Sequence, residues 1–206
     1  MRRVFWVLLS ISLQRTHAAD MYSLDPANTR ISFNIQRFGV LWVSARFPDF
    51  SGAFVLDRHG SASRVDVSVQ MASVACNDAH WNAPLRSADW LDVQHFPQMT
   101  FQSNQVLFDD DHRAFANGEL TLHGVTHSVG LQIMALSCSA SGAGADSCRF
   151  DAHARIRRSD YGLAHGFWSG GDMVDIAISG VGRRGALPPA RGAATAATVA
   201  AAAALL

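Results

Sequence analysis

Lysine is absent from this chain of 206 residues, so all 17 of its basic residues are arginine. Glutamate occurs once, as Glu119. Basic and acidic residues balance at 17 each, without the basic excess that a nucleic-acid binder ordinarily carries. Charged residues make up only 17% against 49% hydrophobic, which excludes a wholly disordered chain. No apolar run reaches the roughly 18–20 residues of a spanning helix, so a helical membrane protein is not expected. C-x-x-C is missing, which removes thioredoxin-like redox chemistry and zinc knuckles. H-E-x-x-H and G-x-S-x-G are missing too.

The two ends differ from the middle. Met1-Arg2-Arg3 precedes an apolar stretch from Val4 to Leu13, and small residues follow at Thr16 and Ala18. That pattern fits a secretory signal peptide over residues 1–18. Residues 185–206 are Ala-rich, broken by Pro188-Pro189, and are expected to form a disordered or partly helical tail. The 166 residues between hold 13 Arg against 17 acids, a net charge of −4. An acidic domain is a poor partner for nucleic acid or an anionic membrane surface.

A leader of this kind directs a chain to an oxidising compartment, where disulfides persist. Cys138 and Cys148 flank a Ser/Gly/Ala connector between two strand-like runs. A disulfide between them is favoured over three free thiols, with Cys76 left over.

Apolar residues alternate with polar ones in five runs. These are Ile31 to Ile35, Val65 to Met71, Val129 to Ile133, Phe150 to Ile156 and Val174 to Ile178. Each suits a strand with one wet and one dry face. Turn clusters separate them at Asp57 to Ser61, Asp109 to His112 and His123-Gly124. Gly118 falls too close to His123-Gly124 for both to close hairpins, and is expected to be a bulge or close-approach position. Residues 77–91 contain no β-branched residue; Asn77 or Asp78 could cap a short helix there, and Ser87 a second. The pattern gives about eight strands and a helical insertion, compatible with a barrel or a two-sheet sandwich.

The chemistry-bearing residues form no constellation. His123 and His127 stand four apart on a strand and turn, and about 13 Å of strand rise would separate such a pair along one strand. Asp109-Asp110-Asp111 has the look of a solvated turn. No nucleophile, base and orienter come together, so neither an enzyme nor a metal or other cofactor is expected. Apolar and aromatic residues instead crowd one region, and Phe38 to Val43 is denser than a half-buried strand needs.

Several stretches resemble the YceI-like family of lipid-binding proteins. They are Tyr22-Ser23-Leu24-Asp25-Pro26 with Ile31-Ser32-Phe33, and Phe47 to Phe54 with Asp57. Next come Leu85 to Asp92 followed by Phe96 to Ser103, and then Gly118 to Thr126. Arg158 to Leu163 and Asp172 to Ile176 close the series. The resemblance covers 22 to about 182 and implies an all-β fold: an antiparallel, eight-stranded, lipocalin-like barrel spanning residues 19–184, with a short helical insertion around 77–91. It implies a periplasmic or secreted, non-catalytic protein holding a long isoprenoid lipid or isoprenoid quinone. It also leaves room for a membrane redox partner, such as a b-type cytochrome, and for a homodimer. Phe33, Ile35, Arg37, Phe38, Leu41, Trp42, Phe47 and Phe101 are the candidate ligand-binding residues, with Arg37 either a head-group contact or a surface ion pair. Arg37 and Ala45 depart from residues common in the family.

Overall fold

A computed structural model describes residues 20–37, 41–57, 62–110, 112–140, 145–163 and 170–185. The leader-like start and the Ala-rich tail lie outside the described residues, as do Phe38 and residues 164–169. The strands are β1 (Asp20–Leu24), β2 (Arg30–Arg37), β3 (Leu41–Phe47), β4 (Phe50–Leu56), β5 (Arg64–Gln70) and β6 (Ala75–Cys76). After helix α1 (Asn82–Arg86) come β7 (Gln98–Phe108), β8 (Ala114–Leu122), β9 (Val125–Ala140), β10 (Ala145–Arg157) and β11 (Gly170–Arg184).

All pairings are antiparallel, and they close on themselves. The long β11 pairs with β10 along one edge and with both β1 and β2 along the other. β1 and β2 are thus one stave broken by the turn at Pro26, and β3 and β4 are one stave broken at Pro48. Proline explains each break, because it donates no ladder hydrogen bond. The two-residue β6 pairs with β3 as β5 pairs with β4, so β5 and β6 form a third broken stave, and counting each broken pair once gives an eight-stave barrel, the closed alternative to the sandwich.

The expected alternation is present, with shifts the sequence does not display. On β7, Met99 and Phe101 face the interior, a bulge intervenes between Ser103 and Gln105, and Val106 and Phe108 then take over. On β9 a bulge at Ala135, whose φ is 55°, passes the interior face from Ile133 to Leu136. Each bulge adds one residue and so reverses the parity of the strand beyond it. Gly118 sits opposite the first bulge. A Cβ there would lie 2.5 Å from the Gln102 carbonyl oxygen and 2.6 Å from Ser103 Cα, so close approach is what this glycine permits. His123 and Gly124, with φ of 52° and 74°, form the two-residue turn joining β8 to β9.

Residues 71–97 fill the space between β5 and β7 at one end. Asp78 accepts the His80 backbone N–H and caps a 3₁₀ turn leading into α1. The expected second helix after Ser87 is absent: the Ser87 hydroxyl donates back to the Pro84 carbonyl at 2.7 Å, and residues 88–91 are turns. Ser87 therefore ends one helix and starts none. At the opposite end Cys138 and Cys148 pair directly across β9 and β10 and form a disulfide. Cys76 is free and half-buried.

Candidate functional site: an apolar tunnel through the barrel

The interior holds three chambers that share walls. The first lies where the β7–β8 and β9–β10 hairpins turn and is bounded by Phe54, Val65, Val106, Leu136, Phe150 and Ala152. The second lies against the insertion and is bounded by Phe33, Ile35, Phe47, Leu85, Leu91 and Val174. The third lies between them, sharing Val67, Leu131 and Ile178 with the first and Met99 and Ile176 with the second. Ile31, only 2% exposed, borders all three. Set side by side from the hairpin end to the insertion end, they outline an elongated tunnel.

Its width comes from small residues where a packed barrel would carry large ones. Ala114 and Ala152 border the first chamber and Ala154 the third. Ala116 and Ala152 are 0% exposed and pack with Leu131 in the wall. Inward-facing side chains of a small eight-stranded barrel can fill it or leave room for one ligand, and these alanines decide for room.

Among the described residues, chambers one and three are bounded by apolar residues alone, and the residues around chamber two include Ser32 and Arg158. Arg158 is 9% exposed. Its Nη1 donates to the Leu163 carbonyl at 2.5 Å and its Nε to the Gly171 carbonyl at 3.4 Å. Beside it, the Ser159 backbone N–H and hydroxyl donate to Asp172 at 2.9 and 2.7 Å. Those bonds, helped by the Arg158 and Arg157 charges, hold the Asp172 carboxyl below the usual carboxylate range. The Tyr161 phenol is pushed up to about 12 by burial and the Asp160 charge, and its hydroxyl has no hydrogen-bond partner among the described residues.

The sequence-derived candidates divide. Phe33, Ile35 and Phe47 border chamber two, and Phe101 borders chamber three. Trp42 is 59% exposed and does not border the tunnel. It pairs with Gln36 on the opposite face from Val43, Ala45 and Phe47, so its parity carries it outward. Arg37 ends β2 and pairs in register with Leu41, which opens β3; the side chains of this pair, and all of Phe38, lie outside the described residues. Arg158 is not among the candidates, yet its signal is present. One further step of the alternation Phe150, Ala152, Ala154, Ile156 falls on it. Among the described residues, no three His, Cys, Asp or Glu side chains converge as metal ligands would.

The closed antiparallel arrangement with an apolar interior places the chain in the class of small closed β-barrels. Residues 22–181 match the YceI-like domain model, and the chain belongs to the YceI-like family. The protein YceI of Escherichia coli O157:H7 is 33% identical over 165 residues, covering 79% of this chain and 85% of that protein. The crystal structure of Burkholderia cenocepacia BcnA superposes with a TM-score of 0.68 at 23% identity, over 77% of this chain and 98% of that one. A polyisoprenoid-binding domain from Saccharophagus degradans superposes with a TM-score of 0.59 at 16% identity, over 80% of this chain and 98% of that one. The expected family and fold are borne out.

Proposed function

We propose that this protein is a non-catalytic carrier that holds a long isoprenoid lipid, a polyprenoid or an isoprenoid quinone, in the barrel tunnel. The observation that carries the reading is the series of three apolar chambers with shared walls. A branched hydrocarbon chain offers only methyl-rich surface, so affinity has to come from buried area, at roughly 25 cal/mol per Å² before ordering costs. A tunnel bounded by Ile, Val, Leu and Phe supplies that area. The polyisoprenoid-binding domain of Saccharophagus degradans, which shares the fold, supports the same ligand class.

Absence of catalysis is part of this reading. Among the described residues Ser32 and Arg158 are the polar residues that border the tunnel, and no carboxylate or imidazole borders it. That set lacks a general base. A periplasmic or secreted location fits the leader-like start and the Cys138–Cys148 disulfide. Hand-over of the lipid to a membrane redox protein, and pairing into a homodimer, are separate properties, to be measured by pull-down in mild detergent and by sedimentation.

The test is native mass spectrometry of gently purified protein, followed by titration with polyprenols and isoprenoid quinones of increasing chain length. Co-purified or added prenyl lipid is expected at one per barrel, with affinity rising with chain length until the tunnel is full. Failure to bind any member of the series overturns the proposal, and turnover of a bound lipid overturns its non-catalytic part.

A further inference from the structure

Side chains crowd the hairpin end of the bore. Along the inner face of β11, Ile176 and Ile178 border the chambers, and the next two positions of the same parity are Gly180 and Gly182. Aromatic rings take the space that side chains would fill there. A Cβ on Gly180 would lie 3.1 Å from Phe150 Cζ, and one on Gly182 would lie 2.3 Å from Phe54 Cε1 and Cζ. Phe54 stacks on Tyr22 with ring centroids 5.1 Å apart and meets Phe150 edge-on at 5.5 Å. Phe54 and Phe150 border the first chamber, while Tyr22 is fully buried and borders none of the three. Tyr22 therefore backs the two rings that face the guest space.

Leu136 closes in from β9. It is buried, and it is the outermost residue of β9 to border the first chamber. The bulge before it holds Ala135 at a φ of 55°, a left-handed conformation that strains an alanine, and what the strained turn delivers is an inward Leu136. Both backbone groups of Leu136 are then fixed to the β7–β8 turn. Its N–H donates to the His112 carbonyl at 2.7 Å, and its carbonyl accepts from His112 Nδ1 at 3.0 Å.

Resting on the proposed lipid-carrying function, we infer that the tunnel is blind at the hairpin end, and that Phe54, Phe150 and Leu136 form the stop against which the prenyl chain ends. The stop, and not the insertion, sets the longest chain the barrel accepts. Each isoprene unit adds buried area, and so affinity, until the tip of the chain meets the stop. A further unit stays outside the second chamber and adds little. Loading is then one-way: the tip passes the insertion end first, then Ile31, and comes to rest in the first chamber.

The test titrates prenyl alcohols of increasing isoprene number against wild type, Phe150→Leu, Leu136→Ala and, at the other end of the tunnel, Leu91→Ala. Melting curves confirm that each variant is folded, and Phe150→Leu, the milder change, carries the test if Leu136→Ala does not fold. In wild type the affinity is expected to rise with length and then level off. Phe150→Leu and Leu136→Ala are each expected to move that break by up to about one isoprene unit, since each removes three carbons from the stop. The first chain too long for wild type should bind them about tenfold more tightly, with shorter chains unchanged. Leu91→Ala is expected to leave the break where it is. An unmoved break in the folded hairpin-end variants overturns the inference and leaves lipid carriage intact. So does a break that moves with Leu91→Ala alone, or a wild-type affinity that never levels off. No binding of any chain by wild type removes the carrier function and this inference together.

Discussion

At the hairpin end the tunnel is enclosed by the ladders of β7 to β10 and a disulfide crosses one pair of strands; at the insertion end part of the wall is not sheet at all. There Met71, Leu85 and Leu91 reach the chamber from a loop that returns on itself through 3₁₀ turns and the single turn of α1. The first end owes its shape to backbone hydrogen bonds and a covalent link, the second to side-chain packing on a folded loop. Among the described residues, polar residues border the tunnel only at the second. A barrel can thus build one end as a hydrogen-bonded apolar sleeve and the other from packed loop side chains.

The largest expected effect comes from blocking the sleeve. Ala152→Phe places a ring in the first chamber and is expected to abolish binding of long prenyl lipids while short ones still fill the insertion end. Titration with lipids of graded length checks this, and equal loss at every length would mean that the two ends do not act separately. Next, replacing Cys138 and Cys148 with alanine is expected to cost about 2–3 kcal/mol, by the entropy of closing a loop whose ends stand 10 positions apart. Lipid affinity should stay the same; urea unfolding and the titrations above measure the two quantities.

Tyr161→Phe probes the insertion end more gently. With the buried phenol pushed up to about 12, the hydroxyl form contributes stability that is full below about 10 and lost as pH rises from there towards about 12. The substitution is expected to flatten this alkaline limb and to change stability at neutral pH by less than about 1 kcal/mol, since the hydroxyl has no partner to lose among the described residues. Thermal melts across the alkaline range check both. The smallest effect is expected from Trp42→Asp. Because Trp42 is 59% exposed, lipid affinity and melting temperature should stay near wild type. A marked loss of affinity would place the β3 edge in the ligand's path.

Most of the barrel was legible because period-two alternation and turn residues are local signals. The strands around Ile31, Val67, Leu131, Ala152 and Ile176 all face inward as the pattern requires. The bulges were not legible: nothing at Asn104 or Ala135 announces an extra residue, yet each reverses the face of everything beyond it. Trp42 shows the cost of reading density without parity, since a run rich in apolar residues still sends alternate ones outward. Arg158 shows the opposite omission, because a charged residue ended the apolar count one step before the alternation did. The second helix failed because Ser87 is chemically suited both to start a helix and to close one, and only the Pro84 carbonyl decides between them.

The loop-borne wall has a bearing on how such a protein diversifies. Residues 71–97 join β5 to β7, and apart from the two residues of β6 they belong to no rung of the barrel. Substitutions at Met71, Leu85 or Leu91 can therefore reshape the chamber next to Arg158 and leave the hydrogen-bond ladder untouched. The ladder is the inherited frame, and the insertion is a replaceable fitting. A lineage can retune which cargo it accepts by exchanging that fitting without relearning how to fold.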